Sequence, residues 1–130
     1  YETKPQSSIR LLTKVIENIS FENDGELAWF SIDQNMLDAA EASSKDVDGF
    51  TDFIRTIKGV EVAVMVFENG RDVCRINFRS QGKYVINDIA KHFGGGGHKF
   101  AAGAVIKGNK ETIVPQVISQ TIASLERQAA

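Results

Sequence analysis

The chain has 130 residues, of which 42% are hydrophobic and 25% are charged, a composition typical of a single compact soluble domain. Its one cysteine, Cys74, excludes an internal disulfide and favours the cytoplasm, and the longest apolar stretch, residues 60–67, is shorter than the roughly 20 residues that span a membrane. The formal net charge of −2 indicates, taken alone, no affinity for anionic ligands.

The first half of the chain predicts three helices and one strand. Apolar residues at helical spacing indicate an amphipathic helix over residues 7–20, and a turn then leads into a strand over about 26–32. Asp33 is suited to cap a helix that ends near the polar stretch 43–46. A second short helix of this segment is predicted over residues 49–57.

The middle of the chain predicts a β-hairpin. Residues 60–67 are rich in valine and indicate a mostly buried strand, residues 72–78 indicate its partner, and Asn69-Gly70 favours a type I′ turn between them. Side chains alternate along a strand, so the partner strand has one basic face (Val73, Arg75, Asn77 and Arg79) and one apolar face (Cys74, Ile76 and Phe78). We expect the apolar face to be buried.

The last third of the chain completes the fold. Asn87 is predicted to cap a short helix over residues 88–93, which a run of glycines ends. A strand is predicted over 104–106 and a last helix over 112–128. Together the elements predict an α/β fold with a mixed central sheet of about five strands flanked by helices.

The glycine run is the sharpest local feature of the sequence. Six of the 11 glycines fall between residues 94 and 108, and Gly94, Gly95, Gly96 and Gly97 are consecutive. One glycine is enough to end a helix, whereas four cost conformational entropy, so close approach of a ligand to the backbone explains the run better. Successive amide N–H groups could then point at phosphate oxygens, with a helical turn following over residues 98–102. The run matches neither a Walker A loop nor a dinucleotide-binding fingerprint.

Basic residues concentrate around the glycine run. Residues 71–110 contain eight Lys and Arg against two acidic residues, a net charge of +6, whereas the rest of the chain carries −8. This asymmetry is typical of a polyanionic ligand meeting one face, although solvated surface charges produce it too. Arg79, Ser80, His98 and Lys99 are the candidate phosphate ligands of this window. A solvated arginine and a histidine that only caps a helix are the alternatives.

The sequence offers no catalytic or metal-binding group. It contains two histidines, His92 and His98, and no cluster of His, Cys, Asp or Glu at metal-ligand spacing. Cys74 falls on the apolar face of its strand and is better explained as a core residue than as a nucleophile. We therefore predict a binding site with no catalytic residue and no metal.

Three stretches carry a resemblance to a known family: Gly94-Gly95-Gly96-Gly97-His98-Lys99-Phe100-Ala101-Ala102-Gly103, Phe78-Arg79-Ser80 and Ile89-Ala90-Lys91-His92-Phe93. They resemble the C-terminal substrate-binding domain of DHH-family phosphoesterases, in particular the nanoRNase/pAp phosphatase branch, whose relatives include RecJ exonuclease and cyclic-di-AMP phosphodiesterases. The resemblance implies that Arg79, Ser80, the four glycines and His98 contact a short oligonucleotide or a 3′,5′-bisphosphonucleotide. Asn77 stands where such domains often have Ser.

The resemblance also implies that the catalytic half is not in this chain. Enzymes of this family hold two divalent ions, usually manganese, in an N-terminal domain with an Asp-His-His motif, and that motif does not occur here. We expect residues 1–20 to be a helical connector from that domain, which would act in cis, and residues 21–130 to be the DHH-associated domain, inactive alone. A sequence that starts at Tyr1 without an initiator methionine agrees with this expectation.

Two other functions stay open at this point. One is a non-enzymatic nucleic-acid-binding module, such as the related tail domain of alanyl-tRNA synthetases. The other is a structural or dimerisation domain in which the glycines only let helix and sheet approach each other. A homodimer is compatible with each of these functions, and no membrane partner is expected.

Overall fold

The structure, a computed structural model, describes residues 5–130 and is built around one mixed six-stranded sheet. In chain order its elements are α1 Gln6–Asn18, β1 Ser20–Glu22, β2 Leu27–Ile32, α2 Gln34–Ala39, a 3₁₀ turn Ser44–Val47, α3 Phe50–Arg55, β3 Val62–Glu68, β4 Val73–Ser80, α4 Asn87–His92, β5 Gly96–His98, β6 Ala101–Lys107 and α5 Lys110–Ala129. The predicted α/β class is confirmed, with six strands in place of about five. The first four residues of the predicted connector lie outside the described residues.

The strands are arranged in the order β1-β2-β3-β4-β6-β5. The pair β2–β3 is parallel and is connected through α2 and α3, whereas every other neighbouring pair is antiparallel. Both edge strands, β1 and β5, have only three residues and were not predicted. Short edge strands leave few unpaired backbone groups exposed.

Helices cover the two faces of the sheet unequally. On one face, α4 and α5 pack on β2, β3, β4 and β6, and Leu27, Val64, Ile76, Phe78, Ala104, Ile89 and Leu125 belong to this core. On the other face, α1, α2 and α3 form a second core with β2 and β3, and Leu11, Val15, Ile54, Phe30 and Met65 belong to it. The strand residues of the second core all come from β2 and β3, so on that face β4, β6 and β5 extend beyond the helices.

Side-chain caps begin two of the five α-helices within residues 5–130, α2 and α5. Asp33 caps α2 as predicted, because its side chain accepts a hydrogen bond from Met36 N at 3.0 Å. Asn109 caps α5 in the same way through Thr112 N. The predicted cap of α4 was wrong, since Asn87 is the first helical residue and Ile86 holds the cap position without a side-chain hydrogen bond.

The β3–β4 hairpin forms as predicted, but its turn differs. A type I′ turn needs positive φ at both central residues, and in this hairpin Gly70 (φ +83°) and Asp72 (φ +57°) have positive φ whereas Asn69 does not. Asn69 N instead donates to Val73 O at 3.3 Å, which closes a three-residue loop. Glu68 of β3 lies opposite Cys74 of β4, and this register accommodates the longer connection.

Candidate functional site

The candidate site lies on the part of the sheet that α1, α2 and α3 leave uncovered. We call it the open face, and its residues are Arg75, Asn77 and Arg79 of β4, Ala101, Gly103 and Val105 of β6, and Gly96 and His98 of β5. Alternation along β4 is as the sequence predicted, because the even-numbered residues are buried and the odd-numbered ones are partly exposed. On β6, Val105 is 68% exposed, which is unusual for a valine in the interior of a strand.

The strand register arranges the open face into three rows across the sheet. Opposed residues of antiparallel strands carry their side chains on the same face. The first row is Arg79, Ala101 and His98; the second is Asn77, Gly103 and Gly96; the third is Arg75 and Val105. The first row therefore brings together the arginine and the histidine that the sequence singled out, with a small alanine between them. The middle row has two glycines, Gly103 and Gly96, beside Asn77.

Arg79 is fixed at the boundary between the open face and α3. Its Nε lies 3.2 Å from Asp52 Oδ1, and one terminal nitrogen donates to Phe78 O at 2.9 Å. Asp52 also lies 3.6 Å from Arg55 and is itself half exposed. The guanidinium of Arg79 is thus oriented by a carboxylate yet retains exposed surface and N–H donors for a ligand.

Ser80 lies on the opposite face of the sheet from Arg79. It is 2% exposed, and its hydroxyl donates to Tyr84 O at 2.6 Å and accepts from Gly82 N at 3.1 Å. Both bonds close the turn between β4 and α4. The structure therefore separates the two residues that the sequence grouped, because adjacent residues of a strand point in opposite directions.

The glycine run forms a helix end followed by an edge strand. Gly94 ends α4 with φ +83°, in the left-handed conformation that suits glycine. A Cβ on Gly95 would lie 2.0 Å from Gly103 O, and one on Gly97 would lie 2.7 Å from Ala101 O, so both glycines are required by the approach of β5 to β6. Gly96 differs, because a Cβ there would meet nothing within 4 Å and its φ is not positive. Steric and conformational causes therefore explain three of the four glycines and leave Gly96 unexplained.

The predicted helical turn over residues 98–102 was wrong. His98 ends β5, Lys99 and Phe100 form the tight turn, and Ala101 begins β6. The backbone carbonyls of Lys99 and Phe100 accept hydrogen bonds from Ile86 N and Ser80 N, which ties the turn to the end of β4 and the start of α4. The side chains of His98 and Lys99 are exposed, as a ligand contact requires.

The basic window does not form one patch in the folded chain. Lys83 Nζ lies 2.6 Å from Glu26 Oε2, Lys91 pairs with Asp88 at 3.8 Å, and Lys110 pairs with Asp33, all away from the open face. The hydrogen bonds from Lys83 and Tyr84 hold the pKa of the Glu26 carboxyl below its usual range. The basic groups of the open face itself are carried by β4, by His98 and by the adjoining Lys99.

Ala101, Gly103 and Val105 were not predicted as site residues, although Ala101 and Gly103 belong to the stretch that carries the family resemblance. The sequence pattern that could have identified them is the alternation along residues 101–107. Ala102 and Ala104 are buried, whereas Ala101, Gly103 and Val105 are not. That pattern becomes informative only once β6 is known to pair with β4.

Neither a cluster of metal ligands nor a reactive cysteine is found among the described residues. No cluster of three or more His, Cys, Asp or Glu occurs within residues 5–130. Burial raises the pKa of the Cys74 thiol to about 11, so the reactive thiolate is disfavoured at neutral pH. None of the helices between residues 5 and 130 has the length and apolar character of a membrane span. The geometry of the open face is suited to binding a ligand.

Comparisons with known proteins identify the family and agree with the fold. The DHHA1 domain family matches residues 30–124. A bifunctional oligoribonuclease and PAP phosphatase NrnA of Thermus thermophilus is 31% identical over 105 residues, which cover 81% of this chain and 31% of that protein. The crystal structure of an exopolyphosphatase-related protein from Bacteroides fragilis superposes with a TM-score of 0.82 at 27% identity, over 98% of this chain and 36% of that one. The chain thus spans about a third of the length of these relatives.

A more distant structure shares the fold alone. The C-Ala domain of Aquifex aeolicus alanyl-tRNA synthetase superposes with a TM-score of 0.59 at 15% identity, over 81% of this chain and 98% of that domain. The family match covers most of the chain, including the second half of β2, β3 to β6 and the glycine run. The chain therefore belongs to the DHHA1 domain family, the domain found in NrnA-type phosphoesterases.

Proposed function

We propose that this DHHA1 domain is the substrate-binding half of a phosphoesterase active site and that it binds short oligonucleotides or pAp-like 3′,5′-bisphosphonucleotides through their phosphates. The observation that carries the proposal is the first row of the open face, in which Arg79 and His98 flank Ala101. Two strand spacings separate them, about 10 Å between backbones. Long side chains on either side of an alanine leave a gap that a phosphate group fits.

Gly96 supports the same proposal, because the fold does not require a glycine at this position. A ligand that approaches the backbone of β5 would explain it, since the space where a side chain would stand is open. Within residues 5–130, the edge of β5 that faces away from β6 also has backbone groups without a strand partner. Lys99, exposed in the adjoining turn, adds positive charge near the same end of the face.

Ser80 has a structural role in this proposal. Its hydroxyl is engaged inside the protein and faces the α4 side of the sheet, so it shapes the turn after Arg79 instead of touching the ligand. Gly94, Gly95 and Gly97 likewise position β5 and the turn at Lys99, while Gly96 and His98 face the ligand.

We assign hydrolysis to an N-terminal DHH domain in cis, together with two divalent ions, expected to be manganese. The side chains of residues 5–130 do not fit that role, since they provide no cluster of metal ligands. The relative from Thermus thermophilus carries both oligoribonuclease and PAP phosphatase in its name, and its additional length leaves room for such a domain. This chain would then supply binding and orientation.

The proposal is tested by titrating this chain with pAp and with a 5′-phosphorylated dinucleotide while amide chemical shifts are recorded by NMR. We expect shifts to concentrate at Arg79, Gly96 and His98. Arg79→Ala and His98→Ala should each weaken binding more than tenfold, or about 1.4 kcal/mol. Arg127→Ala is the matched control, because Arg127 is an exposed arginine on α5, on the other side of the sheet.

The same titration separates the proposal from its competitors. A structural or dimerisation domain would show unchanged nucleotide affinity in both variants, and this outcome would contradict the proposal. A general nucleic-acid-binding module would bind a long RNA far more tightly than it binds pAp and would show a steep salt dependence. A protein in which this domain follows a DHH domain should hydrolyse pAp with manganese, and the 130-residue chain should not.

A further inference from the structure

Two grooves lie side by side at the β1 edge of the sheet, at the opposite end of the strand order from the open face. The first, of about 500 Å³, opens beside Ser31 of β2, beyond the three residues that pair with β1. The second, of about 590 Å³, lies between α5 and the β1–β2 pair. Trp29 lines both grooves, so they form one continuous surface, which we call the Trp29 surface.

The second groove of the Trp29 surface is mainly apolar and is open to solvent. Trp29, Ile118 and Ile122 line it, and the side chains of Trp29 and Ile122 are partly exposed. The indole N–H of Trp29 donates to Glu22 Oε2 at 3.2 Å, which holds the ring in the wall of the groove. On the other face of the same sheet edge, Phe21 is 48% exposed. An exposed apolar groove that contains a tryptophan is typical of a surface that binds another protein.

Charge is distributed unequally along the Trp29 surface. The first groove contains Lys14, Lys110 and Asp33, and because Asp33 pairs with Lys110, Lys14 carries the excess positive charge. The charged residues that line the second groove are Glu22 and Glu126. Helix α5 connects the two grooves, since Lys110 is its first residue and Glu126 lies about 24 Å further along the helix. The surface therefore has a basic end and an acidic end.

A surface with one basic and one acidic end is complementary to itself. In a contact with two-fold symmetry, both copies use the same residues, turned end for end. A two-fold axis close to Trp29 would make the two α5 helices antiparallel, and the Lys14 end of each copy would then face Glu126 of the other. The apolar parts of the two surfaces would meet at the centre. Ser119, small and exposed in the second groove, allows the two helices to approach each other there.

The size of the Trp29 surface suits a reversible dimer. Helix α5 has 20 residues and is about 30 Å long. The strip from α5 to the outer side of β1 is about 20 Å wide, so each copy offers about 600 Å². Specific interfaces bury about 600–1,000 Å² on each partner. The contact lies at the lower limit of this range, so we expect the dimer to dissociate on dilution.

We propose that the Trp29 surface binds a second copy of this chain in a two-fold symmetric dimer, with antiparallel α5 helices and with Lys14 of each copy facing Glu126 of the other. The inference is independent of the proposed function, because the open face is carried by β4, β6 and β5 at the other end of the strand order. The dimer leaves the proposed nucleotide contacts accessible.

The experiment measures the association of the 130-residue chain by sedimentation velocity over a series of concentrations, together with the fluorescence of Trp29, the one tryptophan of the sequence. We expect a monomer–dimer equilibrium. The emission of Trp29 should shift to shorter wavelength as the dimer forms, because the ring loses contact with water. Ser119→Arg, which places a long charged side chain in the second groove, should weaken dimerisation by about tenfold or more and leave pAp affinity unchanged.

Charge reversal tests the orientation of the two copies. Lys14→Glu and Glu126→Lys should each weaken the dimer about tenfold, because each creates a like-charge contact twice in a symmetric dimer. The double variant should return to within about threefold of wild-type affinity, since each reversed residue then faces an opposite charge. Lys58→Glu, at an exposed lysine that lines neither groove, is the matched control. Lys14 and Glu126 are exposed, so urea denaturation should show wild-type stability in all these variants.

Four outcomes would overturn the proposal. The first is a chain that stays monomeric at every concentration. The second is a dimer that Ser119→Arg does not weaken, or whose formation leaves Trp29 emission unchanged, because another surface would then form it. The third is a double variant that associates as weakly as the single ones, which would contradict the antiparallel arrangement. The fourth is a monomeric chain whose Trp29 emission shifts only when a separately purified N-terminal DHH domain is added, which would assign the groove to that domain.

Discussion

The two halves of one sheet face have opposite surfaces although they belong to the same fold. On β2 and β3 the face is apolar, with large side chains such as Phe30, Ile32 and Met65 beside Ala28 and Ala63, and α1, α2 and α3 bury it. On β4, β6 and β5 the same face has arginine, asparagine, histidine and valine side chains among small residues, and it is partly exposed. The boundary lies at Arg79, which pairs with Asp52 of the last covering helix.

This difference shows that the open half is shaped as well as polar. Any charged side chain at an exposed strand position would be enough to keep the sheet soluble. Ala101, Gly103 and Gly96 are instead small, although glycine in a strand lowers its stability. The covered half therefore serves the stability of the domain, and the small residues of the open half agree with the binding surface that we propose.

The largest expected effect tests the covered half. Phe30→Ala removes a fully buried ring and should lower the free energy of unfolding by about 3–5 kcal/mol, measured by urea denaturation. Phe30→Leu, which keeps most of the volume, should cost less than about 2 kcal/mol. Val105→Thr is the counterpart on the open half, and it should change stability by less than about 0.5 kcal/mol. If Phe30→Ala and Val105→Thr lowered the free energy of unfolding equally, the two halves would not differ in their contribution to stability.

The second effect tests whether the glycine run is structural at Gly95. In Gly95→Ala the added Cβ would lie 2.0 Å from Gly103 O, so β5 must separate from β6. The free energy of unfolding should fall by more than about 2 kcal/mol, as in other overpacked sites. Hydrogen exchange of the β5 and β6 amides should increase, and unchanged exchange with wild-type stability would disprove the steric argument.

Much of the fold could be predicted from the sequence because its signals are local. The alternation in β4 gave the correct buried and exposed sides, since a period of two depends only on neighbouring residues. Asp33 at the start of α2 was recognisable because a cap bonds to residues within one turn. Arg79 and His98 could be named as candidates from the same kind of local pattern.

The arrangement of the site could not be predicted because it depends on contacts far apart in the chain. Gly95 and Gly97 are required by β6, and the sequence alone gives no sign that residues 96–98 form a strand. Glycine disfavours strands, so local propensity indicated a loop there. Ser80 was grouped with Arg79 because they are adjacent, while the pleat of β4 separates them.

A smaller, pH-dependent effect tests the link between the two halves. Glu26, at the start of β2, accepts hydrogen bonds from Lys83 and Tyr84 in the connection after β4, and they lower its pKa. A carboxyl whose pKa is lower in the folded state stabilises the fold above its unfolded pKa, near 4.3, and this stabilisation is lost as the pH falls through the folded pKa. Wild-type stability should therefore fall between about pH 5 and pH 3, and the fall should be shallower in Glu26→Gln. If the stability of wild type and of Glu26→Gln falls in parallel with pH, the proposed contribution of Glu26 is contradicted.

Substitution at Gly96 should change stability little, and its effect on binding is the most informative for function. Gly96→Ala meets no atom within 4 Å and does not require a positive φ, so its stability should stay within about 1 kcal/mol of wild type, on the stabilising side. Gly95→Ala one position earlier is the matched contrast, because the same methyl group is forbidden there. If a ligand approaches the backbone of β5, Gly96→Ala and the larger Gly96→Val should weaken pAp binding progressively while the fold stays intact. Wild-type affinity in Gly96→Val would mean that the open space at Gly96 has no ligand to accommodate, and the case for the open face would then rest on Arg79 and His98 alone.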